Sequence, residues 1–179
     1  DEGYLITLPQ KGSVVTLLKK DMIREASHVH MVLEQSIFSQ LIEKRRAGEE
    51  LLMINNYSNM LRKMGKPESE YDMVKLEWGF FFALAKSCDR EEAYSFLEKL
   101  DCDMYRLSSL KYGTYNYSVD NSALNAWENT IVEIKLMTEQ LNNCQLELLT
   151  MLCSNRYKGF LVMADALAGI YEGYFELNS

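Results

Sequence analysis

Histidine is nearly absent from this chain: His28 and His30 are the only two among 179 residues. A Ser-His-Asp or Cys-His catalytic pair would have to draw on one of them. A di-iron bundle needs Glu-x-x-His on two different helices, so two histidines one residue apart exclude it. Proline is as scarce, with Pro9 and Pro67 alone, and nine glycines add few breakpoints. Long uninterrupted elements are therefore expected. No apolar run approaches the roughly 20 residues of a membrane-spanning helix; WGFFFALA at 78–85 is interrupted by Gly79 and closed by Lys86.

Cysteine is present but unpatterned. Cys88, Cys102, Cys144 and Cys153 form no C-x-x-C and no tight cluster, which removes zinc-ribbon and thioredoxin-type chemistry. Each lies inside a helical pattern, where a free thiol behaves as a small buried hydrophobe, so reduced core cysteines are expected. The Asn56 and Asn116 sequons occur at about the frequency chance allows. G-x-G-x-x-G, G-x-x-x-x-G-K-[ST], G-x-S-x-G and H-E-x-x-H are all missing, so neither nucleotide cradles nor the common hydrolase signatures are available.

The formal net charge of -7 and a pI near 5.0 argue against a general nucleic-acid binder, which needs a surplus of lysine and arginine against phosphate. The charge is uneven. Residues 1–66 balance at +2 and residues 67–179 at -9, with basic clusters at Lys44-Arg45-Arg46 and Arg62-Lys63. Such asymmetry fits pairing with an oppositely charged surface.

What is there is helical periodicity. Residues 1–13 read as a leader with a short extended stretch at 4–6. From Val14 apolar residues step by three or four through Leu18, Met22, Ala26, Val29, Leu33, Ile37 and Leu41, predicting an amphipathic helix of about 45 Å that ends near Gly48. On that helix His28 and His30 point about 160° apart, flanking Val29 at the edges of the buried stripe. Neither has a Cys, Asp or His at i+3 or i+4, so they are expected to bind no metal, with Glu34 offering His30 one surface ion pair.

Further helices are predicted over 49–64, 70–88, from the Asp89-Arg-Glu-Glu92 cap to Leu107, from Asp120 or Asn121 to Ser154, and over 156–175. Ser69-Glu70-Tyr71-Asp72 reads as a capping box. The 70–88 segment, apolar nearly all round between Leu76 and Ala85, is expected at the centre, and Gly79 is expected to admit a neighbouring backbone. The 120–154 segment reads as a second long spine with a coiled-coil-like 3–4 repeat. Residues 108–120, with Tyr112, Tyr115 and Tyr117 around Gly113, read as a tyrosine-rich loop laid over the bundle.

The expected architecture is all-α: a single antiparallel helical bundle of about six helices, two of them long, over residues 1–179. With no catalytic constellation, the expected role is a protein–protein interaction module, intracellular rather than secreted, binding another protein or itself as a homodimer. No cofactor, metal, nucleic acid or membrane span is expected. The contact residues expected are Tyr112, Tyr115 and Tyr117 as aromatic anchors, together with the basic Lys44, Arg45, Arg46, Arg62 and Lys63. The alternatives are a secreted helical ligand of cytokine type, or a helical enzyme or small-ligand binder.

Overall fold

Local signals place most of the helix ends. In the computed structural model, which describes residues 5–8, 12–97, 101–115 and 125–176, α1 runs Lys20–Arg46 and closes with Lys44, Arg45 and Arg46 in its last turn. Cations there meet the negative end of the helix dipole, and Gly48 at φ 92° turns the chain out. α2 (Leu52–Met64) stops at Gly65, also at positive φ. α3 (Glu70–Lys86) begins as its cap predicts: the Ser69 hydroxyl accepts from the Asp72 backbone N–H. α4 (Glu91–Leu97) and α5 (Cys102–Tyr115) follow. α6 (Ala126–Asn142) opens on a reciprocal capping box between Asn125 and Glu128, and α7 (Leu146–Ile170) leads into a single 3-10 turn at Glu172–Tyr174.

The seven helices pack as a bundle built on the long pair α1 and α7. Their register runs antiparallel: Lys20 meets Asp165, and Gln35 meets Ser154. α3 and α5 oppose each other through Trp78 against Tyr105 and Glu77 against Lys111. Asn55 pairs with Asn142 while the Trp127 indole donates to the Gly65 carbonyl, which fixes α2 against α6. α3 is the central element, with Phe80, Phe81 and Leu84 inaccessible to solvent. Burial of each such side chain stabilises by roughly 1.5–3 kcal/mol. Gly79 is needed on α3 because a Cβ there would lie 2.2 Å from the Tyr57 hydroxyl; the close approach is by a side chain, not by backbone.

The residue ahead of α1 is fastened to the segment that follows α7. Leu18, fully buried, donates its N–H to the Tyr174 carbonyl at 2.8 Å and accepts from Glu176 N–H at 3.0 Å, forming a one-residue parallel bridge with Phe175. Arg106 on α5 adds a donor to the Thr16 carbonyl at 2.6 Å.

Four sequence expectations need correction. Residues 5–8 and 12–15 pair as antiparallel strands, β1 (Leu5–Leu8) with β2 (Gly12–Val15), rather than forming a leader and a helix start. The predicted fourth helix is two, α4 and α5. The predicted tyrosine-rich loop is helical as far as Tyr115, and its remainder, 116–120, lies outside the described residues. Finally, the long spine does not continue to Ser154. It breaks at 143–145, where Cys144 adopts φ 55°, and the residues beyond join the last helix as α7.

Candidate functional site

The core-facing row of α1 is Ile23, Ser27, His30, Glu34, Ile37, Leu41. These steps of four and three form one stripe, and three consecutive members of it, Ser27, His30 and Glu34, are polar. His30 is therefore not at a boundary. It is fully buried, whereas His28 is exposed and Val29, expected in the core, is 38% exposed. Likewise the ion pair expected at the surface between His30 and Glu34 lies inside.

His30 sits in an aromatic box, edge-on to Trp78 and Tyr94 and stacked on Tyr157. Its Nε2 is 2.7 Å from Asp101 Oδ1, and its Nδ1 is 3.8 Å from Glu34 Oε1. Glu34 in turn accepts from the Tyr157 hydroxyl at 2.5 Å and from the Cys153 thiol. Burial pushes the carboxyls of Glu34 and Asp101 above their usual range, against the pull of Arg156 and His30 on the first and of His30 on the second.

A second cluster lies on α3, α5, α6 and α7. Glu77, in the central helix α3, is completely buried. Both its oxygens accept from Lys111 Nζ, at 3.1 and 3.2 Å, and Oε1 also accepts from Arg156 at 2.9 Å. Oε2 accepts from the Tyr112 hydroxyl at 2.7 Å, which lies 3.0 Å from Thr130 Oγ1. Desolvation alone would raise this carboxyl; the two cations and the phenol outweigh it and hold Glu77 at about 2. Burial works on Lys111 too, and lowers it despite Glu77. Glu77 is thus the anchor and Lys111 the weaker partner. The Arg156 guanidinium lies 4.1 Å from the Phe81 ring centre, a cation–π contact.

Glu133 is the loose member. Its one bond is a 3.4 Å contact from Arg156, and its side chain keeps 27% of its surface exposed. Burial raises its carboxyl, with Arg156 pulling the other way. It lines a groove of about 590 Å³ between α5, α6 and α7, whose floor holds Glu77, Lys111 and Arg156. Leu136, Leu152, Phe160 and Met163 supply apolar wall, and a Cβ on Gly159 would meet nothing within 4 Å. A larger groove of about 1050 Å³ over α3 is walled mainly by Tyr57, Tyr71, Trp78, Phe82 and Tyr105. Its Arg106 is already committed to Thr16 and Asp103.

The contact residues expected from sequence are dispersed by the structure. Tyr112 is buried on Glu77 and presents no surface. Tyr115 closes α5 at the rim of the smaller groove, and Tyr117 lies outside the described residues. Lys44 donates to the Ser87 carbonyl, Arg45 is half-buried, and Arg46, Arg62 and Lys63 are exposed. Sequence reasoning missed Glu77, Lys111, Arg156, Glu133 and Asp101, and placed Glu34 at the surface. For those on helices the available signal was a charged residue at a core step. Among the described residues no group of three or more His, Cys, Asp and Glu side chains is disposed to hold a metal ion, and no helix is long and apolar enough to cross a membrane. Neither a family model nor a curated protein matches this chain.

Proposed function

We propose that this chain is a small-molecule-binding helical bundle whose ligand occupies the groove between α5, α6 and α7. The observation that carries the reading is the ionic floor: Glu77, Lys111 and Arg156, all buried, at the base of a cleft that opens to solvent. Burying charges costs several kcal/mol per ion, and a hydrophobic set of the same volume is often as stable or more so. An ion cluster maintained against that cost, with displaced proton affinities and an open cleft above it, has the character of a ligand site. An apolar wall beside a few convergent polar groups is how small-molecule pockets are built.

The test is a fragment library screened by ligand-observed NMR against the wild type and Gly159→Trp. Gly159 lines the groove and a Cβ there meets nothing within 4 Å, so the indole is expected to obstruct the groove with melting kept within a few degrees. Hits that bind the wild type and vanish in Gly159→Trp support the reading. Hits insensitive to the substitution, or a complete lack of hits, count against it. A second reading, an interaction module for another protein, rests on the exposed Arg46, Arg62 and Lys63 at the ends of α1 and α2. It calls for salt-dependent association.

A further inference from the structure

The groove's charges can be counted. Lys111 and Arg156 are cations, Glu77 and Glu133 are carboxylates, and with all four ionised the set is neutral. A ligand of either single sign would leave an unbalanced charge against the buried Glu77, Lys111 and Arg156, where solvent compensates charge poorly. A neutral ligand avoids that penalty. The loose contacts then say what kind of neutral ligand fits. Glu77 is saturated by Lys111, Tyr112 and Arg156. Glu133, by contrast, has one long bond, lines the cleft and keeps part of its side chain exposed, so it calls for a donor-rich group. An ammonium has three donors. Lys111 spends its contacts on one carboxylate, which leaves a hydrogen of its own for an acceptor on the ligand. The wall of Leu136, Leu152, Phe160 and Met163 calls for an apolar body.

We infer that the groove takes a small amphipathic zwitterion, with its ammonium on Glu133, its carboxylate toward Lys111 and Arg156, and its apolar side group against α6 and α7. This rests on the ligand-binding reading of the same groove. Glu133 is faced by Arg156 from α7, by Lys111 from α5 and by Glu77 from α3. An incoming ammonium replaces the water that now solvates its exposed part. Because the ligand brings one charge of each sign, binding is expected to leave the site's proton count nearly unchanged at neutral pH.

The experiment is isothermal titration at pH 7 with four charge patterns on each of two bodies. The benzyl set is L-phenylalanine, 3-phenylpropanoate, phenethylamine and 3-phenylpropanamide. The isobutyl set is L-leucine, 4-methylpentanoate, isopentylamine and 4-methylpentanamide. The expected result is that at least one amino acid binds tenfold or more tighter than its three relatives. Glu133→Gln should weaken it tenfold or more, and Gly159→Trp should abolish it. Repeating the titration in buffers of different ionisation enthalpy should give the same heat. If an acid, amine or amide binds as well as its amino acid, the zwitterion is wrong while the groove reading stands. If no compound of either set binds, both fail. Binding that persists in Gly159→Trp overturns the proposal by placing the ligand elsewhere.

Discussion

Acid should act on this protein in two opposing stages, and Glu77 decides the second. Its carboxyl is held at about 2 in the folded chain against an ordinary 4.5. At about 1.4 kcal/mol per tenfold change in proton affinity, that difference amounts to about 3 kcal/mol of stability. The group is depressed, so the contribution is fully present above pH 4.5 and is lost as the pH falls from 4.5 toward 2. Glu34, Glu133 and Asp101 are displaced upward, and for them the sign is reversed. The folded state holds their protons more tightly than the unfolded state does, so stability rises as the pH falls through their folded values. Urea denaturation on the acid side should therefore show stability rising as those three carboxyls take up protons, and then dropping by about 3 kcal/mol below pH 4.5 as Glu77 does. Glu77→Gln removes the anion between Lys111 and Arg156 and should cost about 3–5 kcal/mol at pH 7. The loss is tempered because Lys111 can release its proton. The variant should also lack its share of the acid limb, the wild-type-minus-variant difference shrinking toward pH 2. A difference that stays constant from pH 7 to pH 2 would refute the assignment of Glu77 as the ion anchor.

Two further outcomes follow from the same packing. Tyr112→Phe removes a charge-assisted hydrogen bond to Glu77 and should cost about 1.5–3 kcal/mol in urea melts, while Tyr115→Phe at the groove rim should stay within about 0.5 kcal/mol; equal effects would mean that Tyr112 does not sit in the core. Burial pushes the Cys88 thiol up to about 11 and raises Cys153 further, so an aromatic disulfide reagent at pH 8 should label only Cys102 and Cys144 quickly and reach the other two on unfolding. Rapid labelling of Cys153 in the native protein would contradict the packing of α7 on α1.

The all-helical class, the α3 cap, the Gly48 and Gly65 stops and the central place of α3 were legible because each depends on local chemistry. The buried polar residues of the candidate site hid for one shared reason: apolar periodicity counts only apolar residues. On α1 the true core row has Ser27, His30 and Glu34 at its centre, so the apolar count rotated the stripe toward Val29 and Leu33. On α5 the row Met104, Leu107, Ser108, Lys111, Tyr112 keeps helical steps, yet its polar members made 108–115 resemble a loop. The α6–α7 turn left no mark because a non-glycine residue, Cys144, takes the left-handed conformation there. Where polar residues were placed in the core, the pattern failed, and those places coincide with the candidate site.

Leu18 has a mechanical meaning as well as a packing one. It pairs with the Tyr174–Glu176 segment in parallel, so tension applied on the amino-terminal side of Leu18 and the carboxyl side of Glu176 pulls the two segments along each other in opposite directions. Both hydrogen bonds are then loaded together in shear, instead of opening one after the other like a zip. With Leu18 and Phe175 buried beside them, this clasp takes the load before it reaches α1 and α7. A chain held by its two ends should resist until the clasp slips, and only then peel its longest helices apart.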